Sequence, residues 1–70
     1  MDQAQTAALD TALKLVKETR LEEARLLLVE VIRRDPNNEQ AWHLLSFALT
    51  DPGQQAYALR RVLEINPENR

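Results

Sequence analysis

The segment LVEVIRRDPNN, residues 28–38, recurs as LRRVLEINPEN, residues 59–69. Every matching position lies 31 residues further along the chain, so that Leu28 recurs as Leu59 and Pro36 as Pro67. Both copies begin with apolar residues at helical spacing and end at a proline, which interrupts a helix and restricts the residue before it. An internal period of this length predicts a chain built from similar helical units.

Breaks divide the chain into four helical segments. Prolines stand at 36, 52 and 67, and a softer boundary lies near Thr19-Arg20, where one apolar pattern gives way to the next. Helix-forming residues dominate the rest and glycine occurs once. We therefore expect an all-α fold of four antiparallel helices, over about 3–18, 21–34, 38–50 and 53–65. They would form two helix-turn-helix repeats, about 3–36 and 37–67, in a single domain spanning 1–70.

Three helix starts carry a hydrogen-bond acceptor three residues before a glutamine, the spacing of a capping box. The pairs are Asp2 with Gln5, Asn37 with Gln40, and Asp51 with Gln54. These pairs predict Asp2, Asn37 and Asp51 as N-caps.

Apolar periodicity predicts which face of each helix is buried. The expected packing stripes are Ala8, Ala12, Leu15 and Thr19 in the first helix; Leu21, Ala24, Leu28, Val31 and Ile32 in the second; Trp42, Leu45, Ser46 and Leu49 in the third; and Ala56, Leu59, Val62 and Leu63 in the fourth. The first and third helices carry a second apolar face, which either packs internally or is left for a partner.

Over about residues 5–69 the chain resembles the tetratricopeptide-repeat family, and the second and third helices carry the strongest motifs. RLEEA at 20–24, Leu28, Val31 and DPNN at 35–38 look like the second helix of a repeat and its exit turn. AWHLLSFAL at 41–49 looks like the first helix of the next repeat. The resemblance implies an α-solenoid fragment that binds other proteins and is not an enzyme.

The chain departs from the family pattern in three places. Ala8 and Thr11 stand where a large residue and a leucine are expected. Leu49 and Leu59 are ten residues apart in place of about thirteen. The final residues, NPENR, are of the kind that leads into a further repeat, so a fragment of a longer array is one alternative.

Composition argues against several classes of function. The chain has no cysteine, one histidine, one glycine and one serine, so we expect no metal site, no cofactor and no catalytic residue. Its net charge of −2 argues against a nucleic-acid surface, and nucleic-acid binding remains a remote alternative. No apolar run approaches membrane-spanning length, so we expect no membrane partner. The absence of disulfides in so small a domain favours a cytoplasmic location.

The resemblance places a partner-binding groove on the inner faces of the first and third helices. The residues it implies are Leu9, Leu13, Val16, Lys17, Gln40, His43, Leu44 and Phe47, with Thr6 and Asp10 beside them. Leu9 and Leu13 make this groove apolar, which suits a helix or hydrophobic strand of a partner protein. A second copy of the chain is the other occupant that the sequence leaves open, and homo-oligomerisation is therefore the alternative function.

Overall fold

Four helices and their connections account for the described part of the chain. The computed structural model describes residues 3–68, apart from the side chain at position 4, and the expected N-cap Asp2 lies outside this range. The helices are α1, Gln3–Lys17; α2, Leu21–Arg34; α3, Glu39–Ala48; and α4, Pro52–Ile65, with no strand among the described residues. The all-helical prediction is confirmed, and each observed bound lies within two residues of the predicted one.

The core lies where α2 meets α1 and α3. α1 packs against α2 and α3, α2 also packs against α3, and α4 packs against α3. Alanines and leucines fill the shared interior: the buried cluster is Leu9, Ala12, Ala24, Leu28, Val31, Ala41, Leu45 and Ala48. The small side chains of Ala12, Ala24 and Ala41 are fully buried, so they let the helix backbones approach closely around Leu28.

α1 ends in a Schellman motif with threonine at the position that usually carries glycine. Thr19 has φ 59, and its N–H donates to the Val16 carbonyl at 3.0 Å. The Arg20 N–H donates to the Leu15 carbonyl at 2.9 Å, which closes the six-residue ring of the motif. The softer helix boundary predicted at Thr19-Arg20 is confirmed, although Thr19 is exposed and does not belong to the packing face of α1.

α3 begins at a buried asparagine. The side-chain oxygen of Asn38, which is 8% exposed, accepts a hydrogen bond from the Ala41 N–H at 3.0 Å. The sequence-based choice of Asn37 as the N-cap is therefore wrong by one residue, because both asparagines precede a polar first turn and only Asn38 points at the helix. The Trp42 indole N–H then donates to the Pro36 carbonyl at 2.8 Å and ties the helix to the preceding turn.

A three-residue link joins α3 to α4. α3 ends two residues earlier than predicted, because its C-cap, Leu49, is already extended at φ −85 and ψ 140. Asp51, the residue before Pro52, is extended as well. Asp51 is the N-cap of α4, as predicted, and accepts from the Gln54 N–H at 2.9 Å. The Gln55 amide donates to the Leu49 carbonyl at 2.6 Å, which fixes the start of α4 against the end of α3.

The burial predicted for α4 is wrong at three of its four positions. Ala58 and Val62 are buried, whereas Ala56 is exposed and Leu59 and Leu63 are 45% and 47% exposed. The cause is the absence of a second neighbour among the described helices, because α4 packs against α3 alone. An apolar stripe therefore remains on its outer side.

Candidate functional site

A shallow depression of about 290 Å³ lies between α1 and α3. It is lined by Thr6, Leu9, Asp10, Leu13, Gln40, His43 and Leu44. α1 and α3 pack against each other, and residues three and four apart on each helix project into the same space. Five of the eight groove residues predicted from the sequence therefore lie around one hollow.

The floor and the rim of this depression differ in burial. Leu9 forms the floor: it is only 5% exposed and belongs to the core cluster, so it shapes the hollow more than it offers surface. Leu44 is half-buried and packs against the same cluster. Leu13, which is 40% exposed, is the large apolar side chain that the rim presents to solvent.

Three predicted groove residues lie outside the lining. Val16 is half-buried and packs against the core, and Lys17 is exposed at the end of α1. Phe47 is 56% exposed and lies one helical turn beyond His43, and the two rings stack at a centroid distance of 5.3 Å and an angle of 30°. The stack extends the apolar rim along α3 toward its C-terminus.

Ser46 takes no part in this surface. It is 7% exposed, and its hydroxyl donates to the His43 carbonyl at 2.6 Å, a local bond within α3. The hydrogen-bonding capacity of the Ser46 hydroxyl is therefore satisfied within α3.

The ion pairs found among residues 3–68 lie away from the depression. Arg20 pairs with Glu18 and Glu23 near the start of α2, and Arg25 pairs with Glu22 one turn on. Arg61 pairs with Glu64 on α4 and also lies over the Trp42 ring at 5.4 Å. These largely solvent-accessible pairs are worth little for stability.

Two further hollows were not predicted from the sequence. One, of about 480 Å³, lies between α1 and α2 beside Ala8, Leu27 and Val31. The other, of about 380 Å³, separates α2 from α4 over Trp42, Leu45 and Leu49. Two departures from the family pattern could have indicated these hollows. One is the alanine at position 8, where a large residue is expected, and the other is the shortened link before α4.

The described residues contain neither a cluster of metal-binding side chains nor a helix that could cross a membrane. No group of three or more histidine, cysteine, aspartate or glutamate side chains in residues 3–68 is arranged to hold a metal ion. Over the same range, no helix combines the length and apolarity that crossing a bilayer requires.

Comparison with known proteins found no relative of this chain. The chain matches no protein-family model, no curated protein and no solved structure.

Proposed function

We propose that this chain is a protein-binding module made of two tetratricopeptide-like repeats, which holds a helix or peptide of a partner protein in the depression between α1 and α3. In this proposal α1 and α2 form the first repeat, and α3 and α4 form the second. The packing of α1 on α2, of α3 on α4 and of α2 on α3 supports it, because stacked helix pairs contact one another in this order.

The exposure of Leu13 and Phe47 is the observation that carries the proposal. The two residues hold the same place in α1 and α3 when the family pattern sets Ala8 against Trp42, because Leu13 follows Ala8 by five positions and Phe47 follows Trp42 by five. Both are large and apolar, and they remain 40% and 56% exposed although a core cluster lies beneath the same two helices. Apolar side chains exposed next to a concave surface are typical of a protein-interaction site.

The chemistry of the rim indicates the kind of segment that would bind. Leu13, Leu44 and the His43–Phe47 stack offer apolar contacts, while Gln40 and Asp10 supply hydrogen-bonding groups. An amphipathic helix places anchors three, four and seven residues apart, which suits an apolar surface of this kind. A site that binds the C-terminal carboxylate of an acidic peptide would instead need cationic side chains where Leu9 and Leu13 stand.

A displayed library of random helical peptides tests this proposal directly. Peptides selected on the wild-type chain should shift the NMR methyl signals of Leu13 and Leu44 on binding. The double variant Leu13→Asp, Phe47→Asp should bind them at least about tenfold more weakly, because loss of a central apolar anchor costs more than about 1 kcal/mol.

Leu26→Asp is the matched control for these variants. Leu26 is 58% exposed on α2 and does not line the depression, so this change introduces a charge of the same sign elsewhere. Binding should be unchanged in the control. Selected peptides that bind the double variant as tightly as the wild type, or that shift other methyl signals only, would remove the groove from the proposal.

A further inference from the structure

The hollow between α1 and α2, which we call the Ala8 hollow, shares no lining residue with the depression between α1 and α3. It holds about 480 Å³, and Ala8, Leu27 and Val31 give it an apolar interior. This volume falls within the range of about 300–1,000 Å³ that is usual for small-ligand sites. The hollow is therefore large enough to be a binding site of its own.

The α3–α4 pair shows what lies between a first and a second helix in this chain. The side-chain amide of Asn66 donates to the Glu39 carboxylate at 3.3 Å. The Arg61 guanidinium lies 5.4 Å from the centre of the Trp42 ring, and Tyr57 meets the same ring edge-on at a centroid distance of 5.9 Å. The indole of Trp42 is therefore packed against α4 by its contacts with Tyr57 and Arg61.

The same two pairings recur around the Ala8 hollow, where the indole is missing. The 31-residue offset of the sequence repeat sets Glu30 and Asp35 of α2 against positions 61 and 66 of α4. Gln5 and Ala8, which stand 34 residues before positions 39 and 42, line the hollow together with Glu30 and Asp35. The hollow thus lies between α1 and α2 where the Trp42 ring lies between α3 and α4, and Ala8 contributes only a methyl group.

Leu27 shows the effect of the missing ring on burial. Its counterpart on α4 is Ala58, which is 0% exposed, whereas the larger Leu27 is only half-buried beside the hollow. Val31 and its counterpart Val62 are both 4% exposed, so the deeper side of the two helices is alike. Apolar cavities bind aromatic molecules, as an engineered cavity of about 150 Å³ binds benzene. The partly open face of Leu27 is therefore a suitable surface for an aromatic ring.

We propose that the Ala8 hollow binds an indole ring, which takes the place that the Trp42 side chain holds between α3 and α4. The ring packs on Leu27 and Val31. The rim carries two carboxylates, Glu30 and Asp35, and one guanidinium, Arg34. Carboxylates accept hydrogen bonds from the indole N–H and attract the positive edge of an aromatic ring. The site therefore favours a neutral or cationic indole over an anionic one.

Free indole is the first probe of this site. Added to the full chain, it should bind with a dissociation constant on the order of millimolar, as befits so small a ligand. The NMR methyl signals of Leu27 and Val31 should shift, while those of Leu13 and Leu49, at the other two hollows, should not. Indole-3-acetate, which adds a carboxylate, should bind more weakly.

A capped tripeptide with a central tryptophan is the second probe, because the same ring can come from a small molecule or from a partner protein. Tighter binding of the peptide than of indole assigns the site to a tryptophan side chain of a partner. Tighter binding of indole assigns it to a small molecule.

The variant Ala8→Leu fills the hollow and should weaken indole binding at least about tenfold while the chain stays helical by circular dichroism. Thr11→Leu places the same side chain on the exposed side of α1 and should bind as the wild type does. Absence of shifts up to the solubility limit of indole would overturn the proposal, as would shifts at Leu13 or Leu49 in place of Leu27. Equal binding by Ala8→Leu, or a tighter complex with indole-3-acetate, would also overturn it. The shifts in the wild-type chain decide the matter even if Ala8→Leu fails to fold.

Discussion

Thr19 holds a backbone conformation that its side chain disfavours. Its φ of 59 lies in the left-handed region, where a β-branched residue is an outlier and costs about 1–2 kcal/mol relative to glycine. The hydrogen bonds of the Schellman motif and the bond from its hydroxyl to the Glu18 carbonyl at 2.6 Å hold it in place. In the turn between α1 and α2, a threonine therefore occupies a backbone conformation that favours glycine.

Replacement of Thr19 by glycine should stabilise the chain. The variant Thr19→Gly removes the steric cost, partly offset by the entropy of a freer unfolded chain, so we expect a net gain of about 0.5–1 kcal/mol. Thermal denaturation followed by circular dichroism measures it, and the midpoint should rise by about 2–8 °C for a domain of this size. An unchanged or lower midpoint would show that Thr19 is not strained.

The two asparagines before α3 should differ sharply in their effect on stability. Asn38→Ala removes the cap that accepts from the Ala41 N–H and leaves that donor without its partner, so it should destabilise the chain by about 1–2 kcal/mol. Asn37→Ala changes an exposed residue and should cost less than about 0.5 kcal/mol. Urea denaturation of the two variants measures the difference, and equal losses would place the cap elsewhere.

Helix bounds follow closely from the sequence, whereas the choice of face does not. Prolines and caps are local signals, so the ends of α2 and α4 were predicted within one residue. Burial depends on what lies opposite a helix. The periodicity of Leu59, Val62 and Leu63 shows that α4 is apolar over a wide arc, but it cannot show that only the Val62 side has a neighbour.

The hollow beside Ala8 is a packing defect that one substitution should repair. In α3 the residue that the family pattern sets against Ala8 is Trp42, whose ring meets Tyr57 of α4 edge-on at a centroid distance of 5.9 Å. Ala8→Leu should place apolar volume against Leu27 and Val31 and stabilise the chain by about 0.5–2 kcal/mol. Thr11→Leu, on the exposed side of the same helix, is the control and should give no comparable gain in urea denaturation. If Thr11→Leu stabilised the chain more than Ala8→Leu, the packing defect of α1 would not lie beside Ala8.

α4 should be the least protected of the four helices against hydrogen exchange. Among the described helices it packs against α3 alone, and its buried residues Ala58 and Val62 lie outside the main core cluster. Local opening of such an element requires less free energy than opening of α2, which contacts two helices. Native-state exchange of the backbone amides measures this, with slower exchange expected for amides near Leu28. Equal protection in the middle of α2 and α4 would contradict this account of the packing.

At the scale of the whole molecule, the sequence predicted five of the residues around the depression between α1 and α3, but not how deeply each of them is buried. The family resemblance implied Leu9 and Leu13 on α1 and Gln40, His43 and Leu44 on α3, and these five residues surround the depression. Leu9 nevertheless lies in the core cluster at 5% exposure. Pattern alone assigns Leu9 and Leu13 to one face, and their depth depends on how closely α1 and α3 approach.

The central claim is that Leu13 and Phe47 form a surface available to a partner and are not part of the core. The free energy of unfolding of the double variant Leu13→Asp, Phe47→Asp tests it most directly. We predict a change of less than about 1 kcal/mol and an unaltered helical spectrum, as for substitutions at exposed positions. A loss of several kcal/mol, of the size expected for a charge placed in the core, or a chain that no longer folds, would contradict the claim.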